Sequence, residues 1–402
     1  MQVAIDNLAA SNVNNDIHLL SRIKEINWNF EGEKTNFLTH DFHSYPAKFI
    51  PQIPKYLIKI FTKEHETIYD PFCGCGTTIV EAILEKRKAV GNDINPLAVL
   101  ISKVKSTFLS DAQIVNIKTT LSAMQDRLES FYWGSRSFRD LSFLEDLSRI
   151  PNLNGWFDQH VINELALIKS AIHDLNDIDI QDFFKVALSS IIVSVSYQDS
   201  NTRYVRVNKN IPEKETFQKF KLKVLRMLQK IKELPWRNDK GVVKLLISDT
   251  RLPLDFDSNS ADLAVTSPPY PNAYDYHLYH KYRMYWLDMN PLDLKRDEIG
   301  AHASYSKKNG HTHENFKNDM EQSFIQISRI LKPNKYFCIV IGDSIIRGDK
   351  IQNNKLLKEM SQATPFQFIY EVKRDIQLSR KSFNPSIGKI KTEYIMFFKN
   401  NK

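Results

Sequence analysis

The stretch TIYDPFCGCGTTIVEAILEKRKAVGND, residues 67 to 93, restricts the fold of this chain more than any other. It reads as a short apolar strand, a turn carrying two glycines, a helix with Ile79, Ala82 and Ile83 on one face, and a second strand. Two strands joined through a helix lie parallel, and a parallel pair needs helical cover on its faces. The expected architecture is therefore α/β, a doubly wound, Rossmann-like sheet. The same alternation returns late in the chain: VVKLLISD and ADLAVTS read as strands, NDMEQSFIQISRILKPN as a helix, KYFCIVIGD as a strand and TEYIMFFKN as a closing strand. Between these blocks the pattern is mainly helical, as in DQHVINELALIKSAIHDL and TFQKFKLKVLRMLQKIKEL. The expected organisation is a polar arm over 1–40, one α/β domain built from 41–110 and 241–402, and a helical insertion over 111–240.

Composition narrows the function classes. The chain has 402 residues, 42% of them hydrophobic, enough to bury a large core. Lys and Arg number 55 against 47 Asp and Glu, a formal charge of +8, which favours a polyanionic partner. No apolar run approaches the ~18 residues of a membrane span, and the first residues lack a basic region followed by an apolar core. The cytoplasm is the expected location, with no membrane partner. Three cysteines cannot make a disulfide framework, and Cys73 and Cys75 sit in the glycine turn away from zinc-ligand spacing, so no metal is expected.

Gly74 and Gly76 let the turn pass close under a ligand, and the helix behind it offers unpaired N–H groups. Asp93, ending the second strand, is placed to accept from ribose hydroxyls. An adenosine-containing cofactor is implied. A dinucleotide fingerprint would put a third glycine where Ile79 stands, which counts against NAD or FAD. The second clue is DLAVTSPPY, residues 262–270. Two prolines fix φ and remove N–H donors, giving a rigid corner at the carboxyl end of a strand. Ser267 and the Pro268 carbonyl become acceptors facing one spot, with the Tyr270 ring beside them. Two acceptors and a ring suit a planar base bearing an exocyclic amine. Accepting from both amine hydrogens localises a lone pair otherwise spread into the ring, and no strong base is required.

Asp70-Pro-Phe-Cys-Gly-Cys-Gly-Thr77 together with Thr266-Ser-Pro-Pro-Tyr270 resembles the S-adenosylmethionine-dependent amino-methyltransferases of DNA, which act on N4 of cytosine or N6 of adenine. His43-Ser-Tyr-Pro-Ala-Lys-Phe49, Ile247-Ser-Asp-Thr-Arg251, Arg329-Ile-Leu-Lys-Pro-Asn334 and Thr392-Glu-Tyr-Ile-Met-Phe-Phe-Lys399 extend the similarity over about 40–110 and 240–400. The resemblance implies a class I methyltransferase sheet and S-adenosyl-L-methionine as cofactor. It implies that Asp70, Phe72, Gly74 and Gly76 hold the methionine portion, Asp93 the ribose and Asp249 the adenine amine, with Lys48 and Thr77 as further cofactor contacts. Ser267, Pro268, Pro269 and Tyr270 would hold the target base. Serine rather than aspartate at position 267 inclines the reading to cytosine N4. The implied partners are double-stranded DNA and a cognate restriction endonuclease. Adenine N6, an RNA base, and a nucleic-acid binder without catalysis stand as alternatives.

A base must leave the duplex to reach such a pocket. Between Asn201 and Lys232 lie ten Lys or Arg and two Glu, and Lys219, Lys223, Arg226 and Lys230 recur on one face of a helix whose other face is apolar. These could track phosphates or form a solvated face. The insertion is the expected recognition region, with Arg203, Tyr204 and Arg206 as contacts. The aromatic run after Tyr270 reads mainly as core, and GAHASYSKKNGHTHEN as a mobile loop able to close over substrate.

Overall fold

The computed structural model describes residues 17, 19–133, 147–234, 243–376 and 392–402. Its centre is a seven-stranded sheet of β1 (Thr67–Asp70), β2 (Lys88–Asp93), β3 (Val243–Ile247), β4 (Ala261–Thr266), β5 (Leu331–Gly342), β6 (Phe366–Asp375) and β7 (Thr392–Asn400). Their spatial order is β3-β2-β1-β4-β5-β7-β6. Pairings from β3 through β5 are parallel, and β7 runs antiparallel to both β5 and β6. The strand order reverses between β1 and β4, so the crevice of this sheet opens at their carboxyl ends.

Alternation along the strands explains the two layers. Ile68, Leu263, Val265, Val340 and Phe397 face α1 (Gln52–Phe61) and α2 (Thr77–Leu84) in one core. Tyr69, Ala264, Ile339, Met396 and Phe398 face α8 (His313–Ile330) and α9 (Asn353–Ser361) in the other. The sequence reading did not include β6: FQFIYEVKRD is an edge strand, mostly half-buried, and its interleaved charges hide the alternation. Of the stretch read as an arm, residues 1–16 and 18 lie outside the described residues. Part of the rest packs on the sheet, with Ile23, Trp28 and Phe30 buried in the first core and the Trp28 carbonyl accepting from Arg374 Nε at 3.0 Å.

A third core belongs to the helical region, with α3 (Pro96–Ser106), α4 (Asp111–Tyr132), α5 (Gln159–His173), α6 (Ile178–Ile191) and α7 (Glu215–Lys232). This core takes in Leu97 and Ile101 of α3 as well as Tyr282, Trp286 and Leu294, so it is fused to the sheet domain rather than appended. Tyr282 and Trp286 are fully buried, as expected of core aromatics. The cations on the basic face of α7 all have partners within the chain. Lys219 pairs with Glu215, Lys223 donates to the Asp41 carbonyl at 3.0 Å, Arg226 pairs with the Asp41 carboxylate at 2.7 Å, and Lys230 pairs with Glu233. Lys223 and Arg226 bind α7 to Asp41, whereas Lys219 pairs within the helix and Lys230 at its carboxyl end. Nor is the start of the 300–315 loop loose. Ile299, Ala301 and Tyr305 are buried, and a Cβ on Gly300 would sit 2.7 Å from the Tyr270 carbonyl oxygen, so the strap lies directly against the proline corner.

Candidate active site

The glycine turn and the proline corner leave adjacent parallel strands at the same rim. Ile68 and Tyr69 of β1 are in register with Leu263 and Ala264 of β4, and the two chains turn away one residue past Asp70 and Thr266. Thr266 Oγ1 donates to Asp70 Oδ1 at 2.6 Å, fastening the strand ends together. A second fastening joins the first three strands. Tyr69 Oη donates to Asn92 Oδ1 at 2.8 Å, and Asn92 Nδ2 donates to Thr250 Oγ1 at 2.9 Å and to the Ser248 carbonyl at 3.2 Å. Asn92 carries no motif signal, and Thr250, although inside the quoted 247–251 segment, has no role assigned there; the strand order makes them neighbours.

Between the corners lies a cleft of about 810 Å³, its open mouth included. Lys48, Phe72, Gly74, Thr77, Asp93, Asp249, Ser267 and Pro269 line it. Asp70, Gly76, Pro268 and Tyr270, also expected at the site, are not among the lining residues; Pro268 and Tyr270 flank Pro269 in the corner. Asp70 is 1% exposed and accepts from the Phe72 backbone as well as from Thr266, so its carboxyl secures the turn rather than facing a ligand. Burial pushes it up to about 7. An acid whose folded value lies above its unfolded one binds more protons when folded, so its contribution to stability declines as pH rises from about 4 to about 7. Replacing Asp70 by Asn should flatten the fall in denaturant midpoint across that window; an unchanged pH profile would show that Asp70 titrates normally.

Gly74 and Gly76 differ in their reasons for being glycine. Both have positive φ, 47° and 80°. A Cβ on Gly74 would reach toward Tyr45 in the cleft, 3.8 Å from its ring, whereas one on Gly76 would meet Ser102 of α3 at 2.4 Å. Gly74 keeps the cleft open and Gly76 lets α3 approach. Asp93 closes this wall: its carboxylate accepts from the Gly74 backbone at 2.9 Å and from the Asn95 backbone at 2.9 Å. Burial raises it to about 6. Each oxygen retains acceptor capacity for one further donor. Asp249 reaches the cleft with its carboxylate already forked onto Arg251 Nε and Nη2, at 3.0 and 2.6 Å. Lys48 Nζ is turned to the His40 carbonyl at 3.0 Å.

Several lining residues were not singled out as site residues in the sequence. Tyr45 and Tyr276 stack at 5.7 Å on one side of the cleft, and Asn95 Nδ2 donates to Tyr45 Oη at 3.2 Å. Glu298 is held by the Tyr276 backbone at 2.7 Å and by His277 Nδ1 at 2.8 Å, and burial pushes its carboxyl up. Tyr45 lies in the quoted segment 43–49; Glu298 had no local signal. Behind Ser267, Tyr270 Oη donates to Glu393 of β7 at 3.3 Å, which fixes the ring of the corner.

The family profile described as DNA methylase, of the N6/N4 type, matches residues 11–104. The Type II methyltransferase M.MvaI of Kocuria varians is 26% identical over 96% of this chain and 97% of its own length. These similarities support an S-adenosylmethionine-dependent DNA amino-methyltransferase. A second relative, the Type II methyltransferase M.MjaII of Methanocaldococcus jannaschii, is 32% identical over 30% of this chain and 21% of its own length. Among solved structures, a SAM-dependent methyltransferase from Methanosarcina mazei aligns at 10% identity and a TM-score of 0.33, covering 89% of this chain and 98% of that one. The cofactor of such an enzyme is S-adenosylmethionine, a cation bearing adenine and ribose. The donor set suits it: acids at Asp93, Asp249, Asp297 and Glu298, aromatic faces at Tyr45, Phe72 and Tyr276, and a bare glycine backbone at position 74. No helix of the described residues is long and apolar enough to cross a membrane.

Proposed function

We propose that this methyltransferase acts on the exocyclic amine of a base extruded from duplex DNA, and that the base is cytosine, modified at N4. The observation that carries the reading is that Ser267 and Pro269 share one cleft with Gly74 and Asp93. S-adenosylmethionine, when bound, supplies an electrophilic methyl group on a sulfonium. The chain's own residues then have separable roles. Asp93 accepts from ribose hydroxyls, Asp249 from the adenine amine, and Phe72, Gly74 and Thr77 shape the methionine end, with Lys48 at its edge. Ser267 Oγ and the Pro268 carbonyl accept the two amine hydrogens of the target and hold its lone pair on nitrogen. Pro269 keeps the corner stiff, and the Tyr270 ring, anchored by Glu393, offers a face to the base. Asp70 is no candidate for a general base, because it is enclosed by its bonds to Thr266 and Phe72.

Ser267 in the first place of the corner favours cytosine over adenine. The Type II designation of the relatives supports a mark that protects host DNA from a cognate endonuclease. On this reading 41–110 and 241–402 form the catalytic domain and 111–240 the recognition region. Transfer of tritium from S-adenosylmethionine to duplex DNA and, separately, to total tRNA, followed by nucleoside analysis, tests it. Label in N4-methylcytosine is expected; label in N6-methyladenine would move the target base, and label only in tRNA would remove DNA as substrate. Asp93→Ala should weaken cofactor binding about tenfold or more, since it removes the ribose acceptor and the brace on Gly74 together. Equilibrium titration measures this, and an unchanged constant would take Asp93 out of the site.

A further inference from the structure

Arg283 is 1% exposed, and no carboxylate among the described residues pairs with it. A guanidinium removed from water without a counter-charge is costly, and it persists only where several acceptors surround it. Its acceptors come from three separate places. Nε donates to the Ser189 carbonyl of α6 at 3.1 Å, Nη1 to His280 Nδ1 at 3.1 Å, and Nη2 to Asn201 Oδ1. Asn201 lies at the tip of an antiparallel hairpin made by Gln198–Ser200 and Arg203–Arg206. His280 belongs to the segment that follows the proline corner.

The His280 end of this link reaches the cleft. Because Arg283 can only donate, His280 Nδ1 is the acceptor and Nε2 carries the proton. Nε2 has no partner among the described residues, so Arg283 alone sets the ring by polar contact. That ring stacks on Tyr45 at 4.8 Å and 23°, and Tyr45 stacks on Tyr276; both tyrosines line the cleft. A second bond runs alongside, from Gln198 Nε2 to the Tyr279 carbonyl at 3.3 Å. The other side of the hairpin is open: the Arg203 side chain is 64% exposed and Val205 is 44% exposed. A two-stranded ribbon of this kind fits the major groove of B-form DNA.

We propose that Arg283 is a positioning residue that locks this hairpin, as the element seated on duplex DNA, to the wall of the methyl-transfer cleft through Asn201 and His280. The proposal rests on the reading of the chain as a DNA methyltransferase. With the lock intact, seating the hairpin and aligning the base over Ser267 are one event. Without it, DNA and cofactor still bind, but the base is held loosely.

The test uses the full chain, tritiated S-adenosylmethionine and unmethylated duplex plasmid DNA. Asn201→Ala should lower kcat for transfer about tenfold or more, since small misplacements at a reacting centre are expensive. Cofactor and DNA affinities should stay within about twofold of wild type, because the groups that hold them are untouched. Asn201→Asp keeps an acceptor and adds a counter-charge, and it should restore kcat. Arg283→Met should match Asn201→Ala and add nothing when the two are combined; if Arg283→Met does not fold, the two Asn201 variants still decide. Wild-type kcat in Asn201→Ala, or a joint fall in kcat, both affinities and Tm, or failure of Asn201→Asp to recover, overturns the lock. A wild-type chain that labels no DNA overturns the underlying reading and the lock with it.

Discussion

Ser267→Ala is expected to lower methyl transfer by about a hundred- to a thousand-fold, the usual consequence of deleting one preorganised polar partner of the reacting group. Cofactor affinity should hardly change. Ser267 lines the cleft from the β4 side, while the cofactor contacts proposed above come from the β1, β2 and β3 ends and from Lys48 before α1. The corner itself should survive the substitution, since Pro268 is buried, Pro269 keeps its fixed φ and Tyr270 keeps its bond to Glu393. Single-turnover rates with saturating cofactor, set beside an equilibrium titration, separate the two effects. If affinity and rate fell together, Ser267 would belong to the cofactor wall or to the fold.

Gly76→Ala should be strongly destabilising. The added Cβ meets Ser102 Oγ at 2.4 Å and Ser102 Cα at 2.9 Å. The hydroxyl can rotate away, but the Cα is helix backbone, so α3 must shift. Strain from φ near 80° adds about 1–2 kcal/mol and overpacking about 1–3 kcal/mol. A loss of about 3 kcal/mol is therefore expected, read from denaturant unfolding. Gly74→Ala is the informative contrast, since its Cβ has 3.8 Å to Tyr45 and projects into the cleft. It carries similar φ strain of about 1–2 kcal/mol without the overpacking, so it should cost less stability than Gly76→Ala and more cofactor affinity. Equal stability losses in the two variants would contradict the division between a packing glycine and a cleft glycine.

How far the sequence discloses this molecule depends on the range of the interaction. Strand, glycine turn and helix are local, and TIYD, KAVGND and TEYIMFFKN match β1, β2 and β7 residue for residue. The edge strand β6 escapes because its burial is partial and its charges are interleaved. Most of the lining residues lie in the quoted motif segments, whereas Asn92 and Glu298 enter only through contacts across the fold. Long-range charge pairing is hardest to read. The cationic stripe of α7 offers Lys223 and Arg226 for phosphates on helical spacing, yet both are drawn to Asp41, a partner 182 and 185 residues away. Asp70 shows the converse: its place in the glycine-turn motif suggests a ligand contact, and its burial beside Thr266 makes it a fastening between strands.

The central claim is that the bend at Gly74 and the corner at Ser267 serve one reaction across a single cleft. A structure of the chain with S-adenosylhomocysteine and methylatable duplex DNA tests it most directly. The claim predicts the cofactor's ribose on Asp93, its sulfur facing the Ser267 corner, and an extruded cytosine with its amine between Ser267 Oγ and the Pro268 carbonyl. A cofactor lodged away from the glycine bend, or a base that stays stacked in the helix while turnover proceeds, would contradict it.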